Sequence, residues 1–126
     1  MCLYTRWKKP KTAAENIVVY KILSVYSTHL ASPYMNFVYD LHRLYETKFT
    51  KSKGCSGRGY YIYEGFHAYV SKKIASDADI DCSFSTCERV YKCIIPKGST
   101  YYISSDNKEI VADKIVIKRK LWFNIF

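Results

Sequence analysis

The last third of the chain most restricts what it can fold into. Arg89 to Ile95, rich in β-branched and aromatic residues, reads as a buried strand, and Pro96, Lys97 and Gly98 form a turn signal behind it. Tyr101 to Ile103 reads as another strand. A polar turn at Ser104, Ser105, Asp106 and Asn107 returns the chain into Glu109 to Ile117, where Ile110, Ala112, Lys114 and Val116 oppose Val111, Ile115 and Ile117. This predicts an antiparallel hairpin with one slightly irregular arm.

Upstream signals are shorter. Asn16 to Leu23 and Tyr60 to Tyr63 are rich in β-branched and aromatic residues and read as strands. Met35 to Tyr45 fits helical and alternating spacing about equally, with a lean to strand or irregular structure. Ala68, Val70, Ile74, Ala75 and Ala78 predict a helix packing one face on a sheet and ending near Ser76 or Asp77. The expected class is α+β: a small, mostly antiparallel sheet carrying one or two short helices.

A chain of 126 residues fits one domain. Its expected parts are a basic N-terminal segment at 1–13, a mobile basic glycine-rich loop at about 47–59, and an apolar tail at 119–126. Residues 121–126 are too apolar to leave in water and predict packing on the body or a homodimer through the tail. No stretch approaches the roughly 20 apolar residues of a membrane span, and no secretory signal is visible, so a cytoplasmic protein without a membrane partner is expected. Five cysteines are an odd number and read as free thiols. Cys82, Cys87 and Cys93 lack zinc-knuckle spacing, and Asp77, Asp79 and Asp81 lack the glycine and distant glutamate of a calcium loop. No metal or cofactor is called for.

Charge speaks to partners. Twenty lysines and arginines against eleven acids give a formal net charge of +9, which points to an anionic ligand or to nucleic acid. The loop from Lys51 to Gly59, with Lys53 and Arg58, offers cations and exposed backbone N–H groups to a phosphate, or is simply disordered. It is not a P-loop, because no Gly-Lys-Ser/Thr follows the glycines. His67, between Phe66 and Tyr69, reads either as a base-stacking or proton-transfer group or as a core histidine. Thirteen tyrosines sit among cations, as at Tyr60, Tyr61 and Tyr63 beside Arg58 or Tyr101 and Tyr102 beside Lys97. Such pairing serves stacking on nucleobases, although alternation places Tyr61 and Tyr63 on the face opposite Tyr60. No Ser-His-Asp or Cys-His arrangement can be assembled.

The pieces IVVYKIL, SPYMNFVYDL, YEGFHAY and VYKCIIPKGSTYYIS with EIVADKIVI, spanning about residues 14 to 118, resemble a family of small uncharacterised bacteriophage and gut-bacterial proteins. The matching motifs are Gly65-Phe66-His67, Ile95-Pro96-Lys97-Gly98, and Ala112, Lys114 and Ile115. The resemblance implies a genomic context of host-defence antagonism or nucleic-acid handling and supplies no mechanism. The strand order is also loosely similar to the split sheet of ADP-ribosyltransferases. Lys21 stands where those enzymes carry Arg or His, no Ser-Thr-Ser follows, and Glu109 lacks a paired acid, so what that likeness implies is a nucleotide-sized cleft without transfer activity.

The expected function is a non-enzymatic binding protein for an anionic ligand, a nucleotide or nucleotide-derived signal, acting as a phage-type sequestering protein. The expected ligand-binding residues are Lys21, Lys53, Arg58, Tyr61, His67, Tyr69, Lys97 and Lys114, with no catalytic residue. The alternatives are a DNA- or RNA-binding protein using its basic surface, and an antagonist covering an acidic face of a host enzyme. A degenerate ADP-ribosyltransferase ranks last.

Overall fold

A computed structural model describes residues 3–7, 9–25, 30–32, 38–53, 59–77 and 87–120. Thirteen strands and one helix occur among them. In chain order they are β1 (Leu3–Thr5), β2 (Lys11–Thr12), β3 (Ile17–Val25), β4 (Leu30–Ala31), β5 (Val38–Tyr39), β6 (Leu44–Glu46), β7 (Thr50–Lys53), β8 (Tyr60–Glu64) and β9 (Phe66–Tyr69). The helix α1 (Lys72–Asp77) follows, then β10 (Cys87–Ile95), β11 (Thr100–Ile103), β12 (Glu109–Ala112) and β13 (Lys114–Lys120). No helix among the described residues is long and apolar enough to cross a membrane.

The protein is therefore a β fold, and the α+β expectation is corrected. Its six-residue helix is opened by Ser71, whose Oγ accepts the Ile74 N–H at 3.1 Å. The helix ends at Asp77 as its spacing predicts but starts four residues late, because Phe66 to Tyr69 is a strand with two buried faces. Phe66 and Ala68 enter one core, and His67 is buried on the other side. With both faces covered, the segment shows no period-2 alternation.

The main sheet runs β2-β11-β12-β9-β3-β10-β13-β6. Only Asp113 separates β12 from β13, so this path returns to the strand it left. β12 pairs with β9, β9 meets β3 at Tyr20↔Tyr69, β3 pairs with β10 from Val25↔Cys87 to Ile17↔Ile95, and β10 pairs with β13. The strands thus close a ring. Alternation sends Val19, Leu23, Cys93, Ile95, Ile110, Ala112, Ile115 and Ile117 into one buried cluster within it. The predicted hairpin forms only in part: β12 pairs with β11, while β13 leaves for β10 and β6.

The bend at Asp113 is tied down on both sides. Its carboxylate accepts the Thr100 N–H at 3.0 Å and the Thr100 hydroxyl at 2.9 Å, and its carbonyl accepts the Thr47 N–H at 2.8 Å. Asp113→Ala removes both carboxylate bonds and is expected to lower stability by about 2 kcal/mol, read as a lower urea midpoint at unchanged m-value. An unchanged midpoint would mean that the ring closes without this clamp.

A second sheet, β1-β8-β7, packs against the outside of the ring through Leu3, Ile62, Tyr102 and Val111, with Phe49 against them. The predicted mobile loop at 47–59 is accordingly corrected in part, because Thr50–Lys53 form a strand on β8. Residues 54–58, including Arg58, lie outside the described residues. So does the tail at 121–126 and with it the expected dimer contact, although Arg119 and Lys120 belong to β13.

The two sheets share one covalent strand. Residues 60–69 run through β8 in the small sheet, bend at Gly65, and continue as β9 in the ring. Gly65 has φ +128°, a conformation open to glycine and rarely to other residues.

Candidate functional site

Next to that bend lies the thinnest seam of the ring. β3 and β9 share a single pair, Tyr20↔Tyr69, after which no further β3–β9 pair forms among the described residues. Lys21 lies on the inward face of β3 between Val19 and Leu23, and its ammonium occupies the opening, donating to His67 O at 2.6 Å. A cavity of about 230 Å³ lies there, lined by Lys21, Ser32, Tyr39, Phe66 and His67, and by Glu46, Thr47, Tyr63, Glu64 and Gly65.

Lys21 is only 8% exposed. Burial lowers its pKa from 10.5 to about 8, with the neighbouring Cys93 a smaller opposing influence. Its Nζ stands 5.8 Å from the centroid of the Tyr39 ring, and no carboxylate pairs with it among the described residues. An ammonium held this way retains donor capacity and uncompensated charge toward the cavity.

His67 is shaped by the same burial. Its Nε2–H donates to Tyr63 O at 3.3 Å, which fixes the tautomer and leaves Nδ1 as the acceptor. Burial first, and the Lys21 charge second, push its pKa down to about 4, so the ring is neutral at physiological pH. The Tyr39 hydroxyl is raised above its ordinary pKa, chiefly by burial, and stays protonated. Cys93, deep in the ring, is pushed up to about 12 for the same main reason and remains a thiol. Glu46 and Glu64 are exposed and mark where the cavity opens to water.

Of the residues expected to bind the ligand, Lys21 and His67 converge here. Lys114 is one strand away, its backbone paired with Glu46. The remaining residues are dispersed. Tyr61 is on the outer face of the small sheet, Lys53 pairs with Tyr60 along the edge strand β7, and Tyr69 is half-buried between Tyr20 and Glu109. Lys97 is exposed in the turn after β10, its backbone N–H bound to Asn16 Oδ1.

Sequence reasoning missed Ser32, Tyr39, Glu46, Thr47 and Glu64. They come from short strands and connections whose placement depends on ring closure, so local pattern carries no signal for them. Among the described residues no group of three or more His, Cys, Asp or Glu side chains could hold a metal ion. No family model, no curated protein and no solved structure matches the chain.

Proposed function

We propose that this chain is a non-catalytic binding protein for a small molecule with one anionic head, a phosphate or carboxylate, seated on the Lys21 ammonium. The observation that carries this reading is a buried lysine facing a cavity with no carboxylate partner among the described residues. Burying a charge costs several kcal/mol unless it is paired, and a ligand anion supplies the missing pair.

The rest of the lining narrows the class. A volume of about 230 Å³ is below the roughly 300–1,000 Å³ usual for drug-sized ligands. A di- or triphosphate would press its further charges on Glu46 and Glu64. A nucleoside monophosphate, or a nucleotide fragment of that size, meets Lys21 with its phosphate and the two carboxylates with sugar hydroxyls. The weakly basic His67 and the protonated Cys93 favour holding over turnover. In a host cytoplasm such a protein would withdraw a signal from its receptor, the use that the phage-type resemblance implies.

Calorimetric titration with adenosine monophosphate is expected to give saturable binding at pH 7 that Lys21→Met abolishes. Because Lys21 must be protonated, the sign with pH is fixed. Affinity holds below about pH 8 and falls tenfold per unit above it. If neither adenosine monophosphate nor inorganic phosphate binds the wild-type protein, or if Lys21→Met binds equally well, the reading fails.

A further inference from the structure

The outer face of the small sheet carries a row of aromatic rings. Leu3, Thr5 and Ile62 point inward, so the alternate residues Tyr4, Tyr61 and Tyr63 point out. Tyr4 and Tyr61 are directly opposite across β1 and β8, and Tyr63 follows two residues along β8. Ring centroids are 5.1 Å apart for Tyr4 and Tyr61 and 6.4 Å apart for Tyr61 and Tyr63. Tyr4 is 36% exposed and Tyr63 47%. The row is held in place, because the Tyr4 ring lies directly on the backbone of Gly59, where a Cβ would overlap it.

Cations border the row. Two residues beyond β1, Trp7 is 40% exposed, with Arg6 Cζ at 5.1 Å and Lys11 Nζ at 4.9 Å from its ring centroid. Lys9 and Lys48 are also exposed, as is Asp106, beside Ser105, whose N–H donates to Tyr4 O. Apolar ring faces bordered by positive charge complement a strand whose bases are free to stack and whose phosphates are negative.

We propose that this face, Tyr4, Tyr61 and Tyr63 bordered by Arg6 and Lys11, is a stacking platform for single-stranded nucleic acid. The platform uses charge differently from a merely basic surface. A duplex hides its base faces and offers only phosphates, so the platform favours single strands, while diffuse attraction does not. Tyr63 also lines the Lys21 cavity, whereas Tyr4, Tyr61, Arg6 and Lys11 do not, so variants at these four test the platform apart from the cavity.

The test is fluorescence anisotropy of a labelled 12-nucleotide thymidine oligomer and of a duplex of equal length, each across a salt series. The single strand is expected to bind at least tenfold more tightly. Tyr61→Ala is expected to weaken it about fivefold or more while Tyr61→Phe retains affinity, and Arg6→Gln is expected to flatten the salt slope. Lys21→Met is expected to bind the oligomer unchanged. Circular dichroism verifies the fold of each variant, and Arg6→Gln serves if Tyr61→Ala does not fold. Equal affinity for duplex and single strand, indifference of folded variants to loss of the ring or the charge, or absence of oligomer binding would overturn the platform.

Discussion

Lys21→Met is expected to make the protein more stable at pH 7 while removing its ligand affinity. The folded-state pKa of about 8 lies below the ordinary 10.5. The folded protein therefore holds the Lys21 proton less tightly than the unfolded chain does, and the ammonium opposes folding. Between the two values the difference amounts to about 3 kcal/mol, present in full below pH 8 and gone above pH 10.5. Methionine has similar length, no charge, and the flexibility to fill the same channel. Against the gain stands the lost bond to His67 O, about 1 to 2 kcal/mol including the unsatisfied carbonyl. The net expectation at pH 7 is about 1 to 2 kcal/mol, seen as a melting temperature several degrees higher. The advantage should shrink as pH rises from 8 to 10.5. A lower melting temperature for Lys21→Met at pH 7 would mean that the lysine is there to brace His67 O, and the binding role would lose its main support.

Gly65→Ala is expected to be the most damaging small substitution in the described structure. At φ +128° an L side chain is strained by about 1 to 3 kcal/mol. Its Cβ would also stand 2.5 Å from Val111 Cγ2 and 3.1 Å from the Phe49 ring. Val111 is fully buried on a strand paired on both edges, so relief requires moving β12 itself. Overpacking of this kind costs a further 1 to 3 kcal/mol or so. A total of about 3 kcal/mol or more lowers the melting temperature by roughly 10 °C. Gly98→Ala is the internal comparison, because Gly98 has φ +88° and nothing within 4 Å of the added Cβ. It carries backbone strain without collision. Equal losses for the two variants would show that the contact with Val111 can relax and that the bend is less constrained than its packing implies.

These two residues also illustrate what the sequence reveals. Lys21 is readable because it interrupts a β-branched run on the face where Val19 and Leu23 are buried, and a charge in that position needs a reason. His67 is readable for the same kind of reason, lying in an apolar segment between Phe66 and Tyr69. The bends are another matter. Glu109 to Ile117 looks like one arm, since the groups that break it at Asp113 are Thr100 and Thr47, distant in sequence. Phe66 to Tyr69 looks helical, since burial on two faces removes the alternation that marks a strand. The exposed row Tyr4, Tyr61 and Tyr63 could be read only halfway. The alternation of Tyr61 and Tyr63 is local, whereas the arrival of Tyr4 opposite Tyr61 joins segments nearly sixty residues apart.

The closed ring also has a consequence for how the molecule comes into being. β3 receives its main partner, β10, only after some sixty further residues, and the ring stays open until β13 is added. Pairings between segments so distant are slow, because the chain must be ordered before the contact repays it. During synthesis, a nascent chain ending between Ile95 and Lys114 carries β10 with the edge that β13 later covers left open. Such an intermediate invites edge-to-edge association, so the yield of soluble protein depends on how soon the final strand clears the ribosome.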